Sequence, residues 1–402
     1  MYNYIRFIFF YLLFFIGVTS CSDKKEEEKT AIEEISLKSL VTMDEINWDH
    51  DMFASVDLVP LEMEENSIIG EISKIELTDN YIFILDKKSM SILMYDRAGR
   101  FLRNIGSMGQ SPEEYLSISS FYINEGNIYL IDPMKQKILV YDFDGRFTRS
   151  IDSASEQLSF ITGVKTFNEE HLMGYTSLNW NPKCGYYLFD KECKKDLQLI
   201  YEYPFHSKKF QAIHMSDNPI CSVGKDIRLI VPYSDTIYTY RDNHIVPTYI
   251  LERGKKAIDH KQLSQKMGDA QQNWLLMLSN IVKNSDYTSG IKNIFETDRY
   301  LCLDFYHESL IPNTVVWDKK NKSGWHVATN VLASPAFSSI VYCRNNELIR
   351  IWNGNQISSF KSQIKNLCAQ ELETLPTSWT EALEECDEEE GNPMLLIYQM
   401  KQ

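Results

Sequence analysis

The sequence predicts an all-β chain, a six-bladed β-propeller with two helical insertions. Three observations carry that prediction. A block of two short strands recurs at a spacing of forty-six residues. The composition favours strands, with 12% aromatic residues and 23 tyrosines. A strand stands near each end of the folded part, as closure of a ring requires.

The repeat is the strongest of these. Ile82-Phe83-Ile84-Leu85-Asp86 matches Ile128-Tyr129-Leu130-Ile131-Asp132. Ile92-Leu93-Met94-Tyr95-Asp96 matches Ile138-Leu139-Val140-Tyr141-Asp142, and Gly99-Arg100-Phe101 matches Gly145-Arg146-Phe147. A period in the forties built of short strands marks propeller blades. The apolar run before Asp86 reads as a strand buried on both faces, near the middle of a blade. Asp86 and Asp132 close it into a turn, where a carboxylate accepts backbone N–H groups. Gly99 and Gly145 supply the positive φ of a tight hairpin, and Phe101 and Phe147 begin the outermost strand. Equivalent places in a repeat make these aspartates structural.

The later blades are more degenerate. The third covers about Leu158 to Tyr201, with Gly185-Tyr186-Tyr187-Leu188-Phe189-Asp190 as its third strand. The fourth runs from Ala212 to Leu251 and the fifth from Ile291 to Thr329. The sixth opens with Ser338 to Cys343 and Glu347 to Trp352. An amphipathic helix is expected over Asp259 to Val282, where Leu263, Met267, Ala270, Trp274, Met277 and Ile281 form one apolar stripe. A second is expected near Gln356 to Leu372, with Ile364, Leu367 and Cys368 inward, followed by a solvated acidic loop from Glu384 to Glu390. Met394-Leu395-Leu396-Ile397-Tyr398 and Ala54 to Glu62 read as strands that pair in the last blade and close the ring.

Ahead of the propeller, placed at 54–402, lie two segments of another kind. Residues 1–20 read as a signal peptide. Arg6 precedes an unbroken apolar run from Phe7 to Ile16, which is too short for the roughly 20 residues a spanning helix needs. Gly17-Val18-Thr19-Ser20-Cys21 then has the form of a lipobox, and its resemblance to bacterial lipoproteins implies lipidation of Cys21. Residues 21–53 read as a lipidated tether and N-terminal segment. Ser22 to Lys29 carries no apolar residue and buries nothing.

The charge balance, 56 acidic against 41 basic residues with a net −15 and no basic patch, argues against nucleic acid as a partner. No C-x-x-C, H-E-x-x-H, H-x-H, G-x-S-x-G or P-loop pattern occurs, so no metal and no cofactor are expected. With Cys21 assigned to lipid, the remaining cysteines are odd in number. Cys184 and Cys193 flank a hairpin within reach of a disulfide, and the competing reading makes most thiols small buried hydrophobes.

The chain resembles the six-bladed β-propeller lipoproteins of Bacteroidetes, an NHL-like family whose activities are mostly unassigned. The marks are Ile105-Gly106-Ser107-Met108-Gly109-Gln110-Ser111-Pro112-Glu113-Glu114-Tyr115, Pro232-Tyr233-Ser234-Asp235-Thr236-Ile237-Tyr238, Glu296-Thr297 and Asn392-Pro393-Met394-Leu395. The family's first motif usually has glycine where Ser111 and Glu113 stand. The resemblance implies an outer-membrane lipoprotein, on the periplasmic face or at the cell surface.

For function, the expectation is a non-catalytic binding or scaffolding propeller, held at the membrane by its lipid, for a glycan, a peptide or a partner envelope protein. Trp180, in Asn179-Trp180-Asn181-Pro182, is the best candidate for stacking on a ligand. Tyr115 and Tyr233, from the family motifs, are further candidates that read mainly as packing residues. The alternative is a lyase or hydrolase with its site in the central channel, assembled from single residues of several blades.

Overall fold

The computed structural model describes residues 32–44, 46–47, 49–176, 183–203, 218–258, 279, 283, 286–307, 312–327, 339–366, 375–387, 389 and 391–402. The compact unit formed by residues 32–402 is a six-bladed β-propeller. Blade 1 is the antiparallel sheet Ile72–Leu77, Tyr81–Asp86, Ser91–Asp96 and Phe101–Ile105. Blade 2 repeats it with Ser120–Asn124, Asn127–Asp132, Lys137–Asp142 and Phe147–Asp152, and blade 3 with Ile161–Thr166, His171–Thr176, Gly185–Asp190 and Gln198–Glu202. Blade 4 holds Ile220–Val223, Asp226–Ile230, Thr236–Arg241 and His244–Glu252; blade 5 holds Ile291–Glu296, Tyr300–Tyr306, Pro312–Asp318 and Ser323–Val327.

The second strand of each early blade is its apolar centre. Ile82, Phe83, Ile84 and Leu85 are all buried, as are Ile128, Tyr129, Leu130 and Ile131. Each such side chain contributes about 1.5–3 kcal/mol by leaving water. Phe83 and Leu85 of blade 1 meet Phe121, Leu130 and Leu139 of blade 2 in one cluster, so the core lies in the seams between blades.

The turn aspartates behave as the repeat predicts. The Asp86 carboxylate accepts from the backbone N–H of Gly70 (3.2 Å), Glu71 (2.6 Å), Lys88 (3.3 Å) and Ser89 (3.0 Å). Asp132 accepts from Leu116, Met134 and Lys135 in the same way, and Asp318 from Lys320 and Asn321. Gly99 has φ +86°, and a Cβ there would stand 2.0 Å from the carbonyl oxygen of Pro60. The hairpin of blade 1 thus needs glycine both for its conformation and for its contact with the closing strand.

Blade 6 closes the ring. Tyr342–Arg344 and Glu347–Trp352 are followed by the C-terminal strand Met394–Met400, and Phe53–Pro60 is the outermost strand. The last pairing is antiparallel and runs from Met394 opposite Pro60 to Met400 opposite Phe53. Two α-helices lie within this blade. Helix α1 (Gly354–Lys365) begins at a capping box between Asn353 and Gln356. It ends at Lys365, and Ile364 packs partly buried on the core; Leu367, Cys368 and the rest of the expected helix to Leu372 lie outside the described residues. Helix α2 (Thr377–Glu385) was not expected. It buries Trp379, Ala382 and Leu383, and the Trp379 indole donates to Val56 O at 2.8 Å. Glu384 and Glu385, read as the start of an acidic loop, form its last turn. The helix expected over 259–282 falls outside the described residues except for residue 279.

The fold also reaches N-terminal of residue 54. Glu33–Ser36 pairs in parallel with His244–Glu252 of blade 4, and Val41–Met43 with Ser323–Val327 of blade 5. Ile35, Leu37 and Leu40 are buried, and Glu33 accepts from the Trp317 indole at 2.7 Å. These short strands cover two blade edges that would otherwise present unpaired backbone groups. Cys184 and Cys193 are not joined in a disulfide; each is buried, in a different core cluster.

Candidate functional site

The innermost strands of the six blades contact one another in sequence around the axis, from Ile72–Leu77 through Ser120–Asn124, Ile161–Thr166, Ile220–Val223, Ile291–Glu296 and Tyr342–Arg344 back to the first. They enclose a cavity of about 860 Å³ at the end where these strands begin, with walls drawn from all six.

Three of these strands are locally irregular in the same place. Pairing skips one residue between Ile72 and Lys74, between Ile161 and Gly163, and between Ile291 and Asn293. The extra residues are Ser73, Thr162 and Lys292, on blades 1, 3 and 5, and all three line the cavity. A bulge re-aims a side chain that regular pleating would send elsewhere, and bulges concentrate at functional sites. Alternate blades therefore place two hydroxyls and an ammonium group on one opening.

Amides flank them. Asn293 donates to the Asp304 carboxylate at 3.2 Å and accepts from the N–H of Asn218 at 3.2 Å. The Asn218 side chain donates to Val341 O at 3.0 Å, and Thr314 donates to Asp304 at 2.8 Å. These polar groups of the wall are thus held in orientation by bonds between blades, among apolar neighbours such as Ile161, Ile220 and Ile340.

Deeper in, a charged belt crosses the channel. Lys74 and Lys165 lie 3.2 Å and 3.6 Å from Glu76 Oε1, and the Tyr342 hydroxyl donates to Glu76 Oε2 at 2.8 Å. Lys74 also donates to Ser120 Oγ at 3.2 Å, to the Phe121 carbonyl and to Val164 O at 3.0 Å. Lys165 sits over the Tyr342 ring, 4.4 Å from its centroid. Burial pushes the Lys74 ammonium down to about 8, against the pull of Glu76. Burial works to raise the Glu76 carboxyl, but Lys165, Lys74 and the Tyr342 hydroxyl outweigh it and hold it below the usual range. The belt pins blades 1, 2, 3 and 6 together. Lys165, Asn218, Ile220 and Tyr342 also line a second cavity of about 360 Å³ beyond it, shared with Cys221 and Cys343.

Of the residues singled out by sequence, Tyr115 lies in the seam between blades 1 and 2 with Phe83, Ile105 and Tyr141, only 2% exposed. Its loop folds back on itself: Tyr115 N donates to Ser107 O (3.1 Å), Gly109 N to Tyr115 O (2.9 Å) and Ser111 N to Glu114 Oε2 (2.9 Å). Tyr233 is buried in the cluster of Tyr186, Tyr203 and Leu229. Burial raises both phenols to about 12. Neither ring lines the axial cavity. Cys21 and Trp180 lie outside the described residues. The family-motif residue Glu296 is an inter-blade pin, receiving Arg228 at 2.8 Å and Lys319 at 2.7 Å.

The cavity residues Ser73, Thr162 and Lys292 escaped the sequence reading. The available signal was a polar residue next to an apolar one in the short stretch before each two-strand repeat, as in Ile72-Ser73-Lys74-Ile75 and Ile291-Lys292-Asn293-Ile294.

Comparison with known proteins places the fold. A "Putative exported protein" from Bacteroides fragilis NCTC 9343 superposes with a TM-score of 0.70 at 18% identity, covering 92% of this chain and 100% of its own. A member of the duf4221 family from Bacteroides vulgatus superposes with a TM-score of 0.50 at 10% identity, covering 90% and 99%. Virginiamycin B lyase from Staphylococcus aureus aligns at a TM-score of only 0.37 and 11% identity, over 68% and 73%. No curated protein matches the sequence significantly. The model of a domain of unknown function, DUF4934, matches residues 34–399, nearly the whole propeller, and the chain belongs to that family.

Proposed function

We propose that the chain is a lipid-anchored envelope protein whose propeller binds a glycan segment in the axial cavity without turning it over. The observation that carries this reading is the set of three bulges that direct Ser73, Thr162 and Lys292 onto one opening. Hydroxyls, amides and an ammonium group suit a polyhydroxylated ligand better than an apolar one. The belt below supports a non-catalytic role, because Lys74 spends its N–H groups on Ser120, Phe121 and Val164 while Glu76 is held ionised among three partners. The anchor rests on the lipobox ending at Cys21, and the export of the Bacteroides fragilis neighbour, as its description has it, agrees with that address. Trp180 stays in the reading as a stacking contact.

A lyase or hydrolase is the second reading, and the Lys74 ammonium near 8 is what favours it. A soluble form lacking residues 1–29, applied to glycan and peptide arrays with each hit followed for conversion, separates the readings. Retention of intact glycans supports the proposal. Retention of peptides alone, or conversion of a bound glycan that is lost with Lys74→Met, overturns it.

A further inference from the structure

Cys221 and Cys343 are far apart in the chain and stand on the innermost strands of blades 4 and 6. Those blades flank blade 5, whose innermost strand ends at Glu296. Both thiols converge there. The Glu296 N–H donates to Cys221 Sγ at 3.1 Å, Cys343 Sγ donates to Glu296 O at 3.3 Å, and Cys221 Sγ lies 3.8 Å from that same oxygen. Both line the smaller cavity beyond the charged belt; Cys221 is 5% exposed and Cys343 is half-buried. A disulfide needs Cβ atoms about 3.5–4.5 Å apart, and two sulfurs gathered on one carbonyl oxygen are placed for that closing movement. Cys302 lies on the second strand of blade 5, is fully buried and is not part of that cavity's wall, and of the pair Cys343 is the more exposed.

We propose that Cys221 and Cys343 are a redox pair that closes into a disulfide across the inner strands of blades 4 and 6 when the protein meets an oxidised thiol–disulfide carrier. The Cys343 sulfur, deprotonated, attacks the carrier's disulfide and gives a mixed disulfide with loss of one carrier thiolate. Cys221 then attacks Cys343 Sγ and expels the second carrier thiolate. One S–S bond breaks and one forms; the carrier is reduced to two thiols and takes up both protons. The neighbouring Cys221 thiol and burial push the Cys343 thiol well above its ordinary value, so its attack quickens as pH rises. The bond spans the end of blade 5's innermost strand and links two blades that share no sheet. An exported chain meets such carriers, but the chemistry of the pair is independent of the glycan reading.

The test uses the full chain, reduced, then incubated with glutathione disulfide, denatured, alkylated and digested for mass spectrometry. The expected product is a peptide pair joined through Cys221 and Cys343, lighter by two hydrogens than the reduced peptides. Thermal unfolding should shift upward on oxidation in the native protein, and Cys343→Ser should abolish that shift. Full alkylation of both cysteines after oxidant, or a cross-link through Cys302 instead, overturns the proposal. The native protein's peptide map decides the matter even if the variant fails to fold.

Discussion

Arg228 and Glu296 form a two-pronged ion pair between blades 4 and 5, with Nε to Oε2 at 2.8 Å and Nη2 to Oε1 at 3.3 Å. The Glu296 side chain is wholly buried and also receives Lys319. Glu296→Ala would leave two cations without their carboxylate in a desolvated seam. Loss of one partner of a buried pair costs about 3–5 kcal/mol, so the denaturant midpoint should fall by a corresponding amount. Glu296→Gln keeps a hydrogen-bond acceptor and should lose less. Equal stability of the Ala variant and the native protein would deny the pin.

Ring closure gives the second prediction. Met394–Met400 lies between Glu347–Trp352 and Phe53–Pro60, so deleting residues 394–402 strands the outermost strand and opens blade 6. The truncated protein should unfold at a markedly lower midpoint and with lower cooperativity. An unchanged transition in equilibrium denaturation would contradict closure by this strand.

Much of this architecture was legible from sequence, because propeller blades are local. Asp86 and Asp132, Gly99 and Gly145, and the apolar runs they punctuate lie within one period, so their roles follow from nearest-neighbour chemistry. The closing pair was legible because an unpaired edge must be satisfied. The axial cavity was not. Ser73, Thr162 and Lys292 become neighbours only when six blades close, and a bulge is a backbone event that one polar residue does not announce. Glu33–Ser36 and Val41–Met43 were missed for a related reason. Parallel pairing with blades 4 and 5 depends on strands more than two hundred residues away, and neither segment alternates long enough to be read as a strand. Helix α2 escaped because Trp379, Ala382 and Leu383 make too short a stripe beside the acidic run.

Acid should weaken the fold through three carboxylates. Burial works to raise Asp86, but the Ser89 hydroxyl and the N–H groups of Glu71, Ser89 and Gly70 outweigh it; Arg299 with the N–H groups of Asn321 and Lys320 does the same for Asp318, and Lys165 and Lys74 for Glu76. All three sit below their ordinary values of 3.8 for Asp and 4.5 for Glu. A depressed value in the fold means that the unfolded chain binds more protons as pH falls. Their contribution is therefore complete above the ordinary range and is lost as pH drops through the folded values. Denaturant midpoints should hold from pH 7 to roughly 5 and fall steeply below about 4, less so in Asp86→Asn. A flat profile across that range would refute the assignment.

The anchor is tested in cells. Cys21→Ala removes the only cysteine of the lipobox, and the protein should leave the membrane fraction or fail to be processed. Full retention in that fraction would defeat the lipid anchor and leave the propeller untouched.

Binding within the axial cavity is tested most directly at Ser73. Its side chain is exposed on a bulge of the innermost strand of blade 1, so Ser73→Trp fills the cavity without entering the core. Titration of the array-selected glycan into the native soluble form and into this variant, with unfolding midpoints recorded for both, gives the answer. The expected result is at least a tenfold weaker affinity, about 1.4 kcal/mol, at an unchanged midpoint. Equal affinity in a folded variant would place the ligand elsewhere and contradict the axial site.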